Sequence, residues 1–228
     1  MSIESLTVQP TIERLRSLLF KVDRLRLSVS SRHHVEDMLV RQMTRELDAQ
    51  LPTQQGHGRR TATIALEIGR TAGLTKDELH HLKLASYLHD IGQLAIDSSI
   101  NRRDLDPEGY ASIQSHPRLG AQILEPFAFL KTAAVLIAHH HERWDGSGYP
   151  YGIRGPYIPV GARILAIADA FDAIEVPLVL CPRKRARIAL RIICVSAGTQ
   201  FDPQLVEVLD RCLHAGSDAI APAWIRNE

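Results

Sequence analysis

The sequence predicts an all-α protein, and three observations carry this prediction. Apolar residues recur at three- and four-residue intervals along most of the chain, whereas the alternating pattern of half-buried strands is scarce. Prolines, glycines and one capping box stand where these periodic segments begin or end. The 45% share of hydrophobic residues is sufficient for a substantial core in a chain of 228 residues. We therefore expect a helical bundle.

The first 50 residues predict two helices in front of the main domain. Two successive series of apolar residues have helical spacing, and the second ends at Leu47. The segment Leu51–Gly56, which reads LPTQQG, then breaks the pattern. This break divides the chain into an N-terminal helical extension, residues 1–50, and a domain, residues 51–228. The extension is too short for an independent sensory domain, so packing or homodimerisation through its helices is the expected role.

The segments that follow carry their own start and stop signals. Thr75 and Glu78 form a capping box, and Pro107 and Pro117 have the positions of first-turn prolines in short helices. The polar segment Gly92–Asp106 is expected to be a loop, as is the long segment that begins ERWDGSGYP. The longer helices are predicted over about 57–72, 75–89, 130–141, 159–174, 184–195 and 203–214.

The charge balance excludes some classes of partner. The chain has 27 basic and 26 acidic residues, so it offers no bulk attraction for a nucleic-acid polymer or an anionic membrane. Cys181, Cys194 and Cys212 lack Cys-x-x-Cys spacing and are interpreted as buried thiols in a reducing compartment. The N-terminus resembles no signal peptide, and no apolar stretch reaches the roughly 18 residues of a membrane span. We expect a cytoplasmic protein.

The predicted helix over 159–174 contains the first indication of a functional site. Its residues are small or apolar on nearly all sides, which is typical of a buried helix. Asp169 and Asp172 interrupt this pattern, and a buried carboxylate is costly unless a partner compensates it. We therefore expect these acids to have a specific role inside the bundle.

Imidazole and carboxylate groups on several predicted helices form a candidate metal site. Neighbours on a helix point about 100° apart, so the pairs His89–Asp90 and His140–His141 suit a helix end where each side chain faces a different ion. Donor atoms of nitrogen and oxygen without cysteine favour iron, manganese, nickel, zinc or magnesium over a structural zinc site. The set exceeds the needs of one ion and suits two that share a carboxylate. The candidates are His57, His89, Asp90, His116, His140, His141 and Asp169.

The other histidines are interpreted as ordinary residues. His33, His34, His80 and His81 are predicted on exposed helix faces, without a ligand role. His139 is predicted to be a helix residue beside the candidate ligands.

Five blocks of sequence occur together over about residues 51–203. They are YLHDIGQLAI from Tyr87, SHPRLGAQIL from Ser115, HHERWDGSGYP from His140, ARILAIADAFDAI from Ala162 and AGTQFDP from Ala197. In this order they resemble the HD-GYP family, a branch of the HD-domain metal phosphohydrolases whose usual activity is hydrolysis of the bacterial second messenger cyclic di-GMP. The resemblance implies an HD-domain-type helical bundle over residues 51–228.

The resemblance also implies a cofactor and a reaction. The seven candidate donors match the family's ligands for two divalent transition metals, iron or manganese first, with nickel, zinc or magnesium as alternatives. Asp90 would bridge the ions, and a metal-activated hydroxide would attack phosphorus in line while the 3′-oxygen of the neighbouring ribose leaves, to give pGpG, GMP or both. Asp90, Gln93 and Tyr149 are the implied catalytic residues. The implied substrate-binding residues are Gln93, Gly148, Tyr149, Pro150 and Arg183.

Three positions depart from the family pattern. Gln93 stands where the family usually has a lysine that contacts the substrate phosphate, so a positive charge is missing there. The segment Pro177–Cys181, which reads PLVLC, replaces a segment rich in basic residues, and Arg183 and its basic neighbours follow it. These arginines and lysines either compensate from a shifted loop or form a solvated helix face. Thr53 replaces a glutamate that helps some members hold a third metal, so two metals are expected.

These departures leave other interpretations open. The chain could be a metal-bound but catalytically weak regulatory module that binds a cyclic dinucleotide, or a partner such as a diguanylate cyclase, through the Gly148-Tyr149-Pro150 loop. It could also be an enzyme for another cyclic dinucleotide or phosphate ester, because an apolar segment stands where basic residues are expected.

Overall fold

The structure, a computed structural model, describes residues 10–23, 29–51, 55–96, 106–174 and 182–215. Within these ranges it has helices and no strand, which confirms the all-α prediction. The α-helices are α1 (Pro10–Asp23), α2 (Val29–Gln50), α3 (His57–Thr71), α4 (Lys76–Leu88), α5 (Pro107–Gln114), α6 (His116–Leu124), α7 (Lys131–Ala138), α8 (Val160–Ala173), α9 (Pro182–Val195) and α10 (Pro203–Ala215). Short 3-10 helices span Ile91–Ala95, Ala128–Leu130 and Gly155–Tyr157.

The helix starts follow the capping signals in the sequence. Thr75 caps α4 through its side chain, and Glu78 returns a hydrogen bond to the Thr75 backbone N–H at 2.8 Å, which confirms the capping box. Asp106 accepts from the Gly109 N–H at 2.7 Å at the start of α5, where Pro107 is the first helical residue. Pro117 likewise lies in the first turn of α6, as predicted.

Two predicted boundaries are wrong. Helix α7 ends at Ala138 rather than at His141, because the His139 N–H bonds to the Leu136 carbonyl, three residues back, and the chain tightens out of the α-helix. The segment predicted as a loop from Gly92 lies partly in the 3-10 helix Ile91–Ala95. Both differences fall where the chain delivers histidines and acids to one site.

Helix α8 lies at the centre of the bundle. It contacts α3, α4, α7, α9 and α10. Ala162, Ile164, Leu165 and Ile167 are fully buried, as the apolar pattern of this helix predicts. Asp169 follows on the same helix, so its side chain extends from the interior of the bundle.

The N-terminal helices pack against the rest of the bundle. Helix α1 contacts α2, and α2 contacts both α4 and the 3-10 helix Ile91–Ala95. The ring of Phe20 meets that of Phe127 edge-on with 4.9 Å between centroids. Thr44 Oγ1 donates to the Tyr87 carbonyl at 3.3 Å. Helix α2 is therefore held against the end of α4, and the division of the chain at 51–56 stays a prediction.

Some sequence-based predictions of exposure are wrong. His33, His80 and His81 are half-buried rather than exposed, because α2 packs against α4 and covers them; His34 is exposed. Cys194 is exposed, whereas Cys212 is buried as predicted. Among the helices that the structure describes, none is long and apolar enough to cross a membrane.

Candidate metal centre

Two groups of three donor side chains meet inside the bundle. His57, His89 and Asp169 offer ligand atoms within 4.8 Å of one another, and so do His116, His140 and His141. The first group comes from the start of α3, the residue after α4, and α8, whereas the second comes from the start of α6 and the turn after α7. The neighbouring pairs thus lie at helix ends. Six of the seven predicted donors belong to these two groups.

Asp90, the seventh, lies between the two groups. Its Oδ2 is 3.5 Å from His89 Nε2, and its Oδ1 is 3.5 Å from His116 Nε2. One carboxylate oxygen therefore faces each group, which is the arrangement of a bridging ligand. Gln93, which is buried, donates from Nε2 to Asp90 Oδ1 and so holds this carboxylate.

Backbone carbonyls fix the orientation of three candidate ligand rings. His89 Nδ1 donates to the Ser86 carbonyl at 2.9 Å, His116 Nδ1 to that of Ile113 at 2.8 Å, and His140 Nδ1 to that of Ile137 at 2.7 Å. A carbonyl can only accept, so each Nδ1 carries the hydrogen and each Nε2 is left with its lone pair toward the site.

His57 is oriented by a carboxylate that the sequence-based ligand set did not include. Its Nδ1 donates to Asp172 Oδ2 at 2.6 Å, and its Nε2 approaches Asp169 Oδ1 at 2.9 Å. Arg60 donates from Nε and Nη2 to the two oxygens of Asp172 at 2.8 and 2.9 Å. The only sequence signal was the unexplained acid in an apolar helix, because the partners lie more than a hundred residues away along the chain.

The pKa values of the histidines differ between the two donor groups. Burial disfavours a charged His57, but the hydrogen bonds to Asp169 and Asp172 outweigh this and raise its pKa to about 10. Burial lowers the pKa of His141 to about 4, and burial together with His141 and His116 lowers that of His140 well below its ordinary value. Burial works against ionisation of Asp169, but its pKa still falls well below the ordinary value because His57 hydrogen-bonds to it and the nearby His89 favours its charged form.

The donor set fits divalent transition metals. His116 Nε2 and His140 Nε2 are 3.4 Å apart, and because both rings carry their hydrogen on Nδ1, two lone pairs face each other. His89 Nε2 is buried without a hydrogen-bond partner in the described part of the chain. A cation between these atoms would satisfy them. Imidazole and carboxylate donors suit iron, manganese, nickel or zinc.

Close backbone contacts leave no room for side chains at two glycines of the site. A Cβ on Gly92 would lie 2.0 Å from the His116 carbonyl oxygen, so the 3-10 helix and the start of α6 touch backbone to backbone. A Cβ on Gly148 would lie 2.3 Å from Arg143 N and 2.6 Å from the His141 carbonyl oxygen. The loop of Gly148 therefore packs directly on the turn that carries two predicted ligands.

The sequence profile of the HD domain matches residues 41–205. The chain belongs to the HD domain family. The resemblance that the five sequence blocks predict is thereby confirmed, and the helical fold agrees with it.

Three relatives illustrate the HD domain family membership. A cyclic di-GMP phosphodiesterase response regulator of Xanthomonas campestris pv. campestris is 36% identical over 67% of this chain and 41% of its own length. A 3'3'-cGAMP-specific phosphodiesterase 2 of Vibrio cholerae is 34% identical over 75% of this chain and 34% of its own length. A solved cyclic GMP-AMP specific phosphodiesterase from V. cholerae superposes with a TM-score of 0.54 at 25% identity, over 72% of this chain and 46% of that one. The chain thus spans less than half the length of these proteins.

The Gly148-Tyr149-Pro150 loop of this HD domain lies on the second group of histidines. The Tyr149 ring stacks on His141 with 4.9 Å between centroids, and the Tyr149 N–H donates to the His141 carbonyl at 3.2 Å. Glu142 accepts from the Tyr151 N–H at 2.7 Å and so ties the end of the loop to its start. The loop of Gly148, Tyr149 and Pro150 therefore borders the candidate metal centre.

The AGTQFDP block of the HD domain supports the same loop from outside. The N–H groups of Trp144 and Asp145 donate to the carbonyls of Gln200 and Thr199 at 3.1 and 2.9 Å. The Arg163 guanidinium lies 5.6 Å above the Trp144 ring and pairs with Asp202. The AGTQFDP block therefore contacts the loop that follows the predicted ligands His140 and His141.

The remaining predicted positions lie outside the described residues or belong to neither donor group. Thr53 and the segment Pro177–Cys181 lie outside the described ranges. Arg183 belongs to α9, but its side chain is outside the described part. His139 is the C-cap of α7 and donates from Nδ1 to the Val135 carbonyl at 2.8 Å, so it belongs to neither donor group.

Proposed function

We propose that this chain is a dinuclear metal-dependent phosphodiesterase that hydrolyses cyclic di-GMP to pGpG, GMP or both. One observation carries the proposal: two groups of three donors flank Asp90, and each carboxylate oxygen faces one group. His57, His89 and Asp169 would hold one ion, His116, His140 and His141 the other, and Asp90 both. Iron or manganese are the first choices, with nickel, zinc or magnesium as alternatives.

Divalent ions in such a pair, when bound, supply the Lewis acidity that activates water and neutralises phosphate oxygens. The protein's own contribution is to hold the donors still. The backbone carbonyls that accept from three Nδ1 atoms keep each Nε2 pointing inward. Gln93 keeps Asp90 oriented between the two groups through its amide hydrogen bond.

Tyr149 and Gln93 would contact the substrate. Burial raises the pKa of Tyr149, so its hydroxyl stays protonated and can donate a hydrogen bond to a phosphate oxygen. Gly148 and Pro150 shape the loop beside it. Gln93 offers an amide where a lysine would offer a charge, so we expect a lower rate than a lysine would give.

The substrate class rests on the relatives, whose names include both cyclic di-GMP and 3'3'-cGAMP phosphodiesterases. The direct test is anaerobic turnover of both dinucleotides by protein loaded with iron(II) or manganese(II), with products separated by chromatography. Turnover that chelator abolishes and that the Asp90→Ala variant lacks supports the proposal. An active Asp90→Ala protein would contradict it.

The second candidate is a regulatory module that binds a cyclic dinucleotide or a diguanylate cyclase through the loop of Gly148. The uncharged Gln93 favours it, because its amide is already engaged by Asp90. The Gln93→Lys variant separates the two candidates. A gain of ten-fold or more in rate indicates an enzyme that lacks a phosphate contact, whereas bound metal and nucleotide without turnover in either form indicates the module.

A further inference from the structure

A second cluster of metal-binding side chains lies away from the candidate centre. His33 and Glu36 on α2 and His80 on α4 offer ligand atoms within 4.8 Å of one another. His80 Nε2 is 3.0 Å from Glu36 Oε2. The rings of His33 and His80 stack with 4.0 Å between centroids and an angle of 25° between planes. The cluster therefore joins two helices that are distant along the chain.

Helical geometry explains why these three side chains meet. Residues three apart lie on the same face of a helix, so His33 and Glu36 project together from α2. Helix α4 packs against this face and brings His80 opposite them. His80 precedes His89 by nine residues, which is about 13 Å along a helix. The cluster is thus separate from the candidate dinuclear centre.

Burial makes the cluster more than a surface ion pair. The side chains of Glu36 and His80 are only 4% and 11% exposed. A buried carboxylate needs compensation, and one imidazole supplies part of it. An ion pair between Glu36 and His80 gives no role to His33, whose ring nonetheless stacks on His80 in the same cluster.

A fourth group stands nearby. The His81 ring is 5.7 Å from that of His80, and its Nδ1 is buried without a hydrogen-bond partner in the described ranges. This nitrogen is a donor atom of the type that zinc binds.

We propose that His33, Glu36 and His80 bind one divalent transition metal that clamps α2 to α4. Two imidazoles and one carboxylate are a donor set that takes zinc, with a fourth position for water or a further side chain. Ligands at about 2.0–2.2 Å from an ion lie about 3.0–3.5 Å from one another, so shifts on the order of 1 Å close the cluster around it. The proposal does not depend on the reaction of the dinuclear centre.

The test is the number of zinc ions per chain, measured by mass spectrometry of the full chain after loading with zinc and removal of the excess. Wild type is expected to hold three ions. His33→Ala is expected to hold two, although it leaves the pair of Glu36 and His80 intact, and Glu36→Gln is expected to hold two. The control is His34→Ala, an exposed neighbour on the same helix, which should keep three.

The same measurement in the Asp90→Ala chain distinguishes zinc at this site from zinc at the dinuclear centre. In the Asp90→Ala chain we expect one remaining zinc, which the added His33→Ala change removes. Equal zinc content in wild type, His33→Ala and Glu36→Gln would overturn the proposal, and so would an Asp90→Ala chain without zinc. Circular dichroism of each variant, with a helical signal equal to wild type, shows that a lost ion is not a lost fold.

Discussion

At the scale of single residues, Asp172 carries a role that its position in an apolar helix only hinted at. Its carboxylate accepts from His57 Nδ1 at 2.6 Å and is itself fixed by the two donors of Arg60. A carboxylate behind a ligating histidine fixes the ring and makes it a better donor, and its loss typically costs 10- to 100-fold in metal affinity. Asp172 and Arg60 are therefore expected to act on metal binding through His57.

The first prediction follows from that contact. Asp172→Asn should weaken metal binding by about 10- to 100-fold, because an amide cannot accept in the same way while also meeting Arg60. Competition with a chromophoric chelator measures the affinity. Arg59→Ala is the control, since Arg59 is the exposed neighbour of Arg60. An Asp172→Asn protein with wild-type affinity would show that His57 needs no such support.

The pKa values of the metal-free site predict how its stability depends on pH. The pKa of His57 is raised from 6.5 to about 10, so its contribution is fully present below pH 6.5 and is lost as the pH rises toward 10. His141 acts in the opposite direction: its pKa is lowered to about 4, so its contribution is present above pH 6.5 and is lost as the pH falls.

Chelator-treated protein should therefore lose about 3 kcal/mol of unfolding free energy from His57 between pH 6.5 and 9, at 1.36 kcal/mol per pKa unit. Urea unfolding at a series of pH values measures this loss. The His57→Gln variant should lack the His57 part of the alkaline decrease while keeping the acidic one. His89, whose burial is outweighed by the nearby Asp90 and Asp169 so that its pKa is also raised, accounts for the alkaline decrease that remains. If both proteins decline equally above pH 6.5, the hydrogen bonds to Asp169 and Asp172 do not hold a proton on His57.

At the scale of elements, the site depends on how closely α6 approaches the 3-10 helix Ile91–Ala95. The two meet at Gly92, where a Cβ would lie 2.0 Å from the His116 carbonyl oxygen and 2.6 Å from Gly120 N. Both obstacles are backbone atoms, so no rotation of a side chain relieves them. The short distance also keeps Asp90 next to His116.

Gly92→Ala is accordingly expected to cost about 3 kcal/mol or more of unfolding free energy, because the strain falls on the backbone. Thermal and urea unfolding measure the cost, and loss of bound metal should accompany it. Gly69→Ala is the matched control, since its Cβ would meet only the ends of the Leu74, Leu79 and Leu82 side chains. A Gly92→Ala protein that unfolds like the control would mean that the backbones separate without penalty.

Helix starts were more predictable than helix ends at this scale. The α4 and α5 starts are set by local hydrogen bonds of Thr75 and Asp106, which depend on residues three positions away. The end of α7 has no such local signal. It is set where the loop of Gly148 packs against the turn of His141, and that contact depends on the tertiary fold.

At the scale of the whole molecule, one candidate metal site could be predicted from local sequence signals, whereas the other depends on tertiary contacts. Six of the seven donors of the candidate centre lie in recognisable blocks, and His57 precedes these blocks in the chain, so the set could be predicted together. The cluster of His33, Glu36 and His80 could not, because nothing along the chain indicates that α2 covers α4. Periodicity gives the faces of a helix but not its neighbour.

The candidate donors also connect distant parts of the bundle, since they lie on α3, α6 and α8 and in the segments directly after α4 and α7. Ions that bind only the folded chain stabilise it, by about 2.7 kcal/mol at a free concentration of 100 times Kd. A chain of this size gains about 2–4 °C in Tm per kcal/mol. Chelation of metal-loaded protein is therefore expected to lower Tm by about 5–10 °C for each ion that it removes. The Asp90→Ala, His33→Ala double variant is the control, because it should lack both sites and its Tm should not respond to chelator. A loaded wild-type chain whose Tm is equally indifferent would mean that neither site binds metal in the folded state.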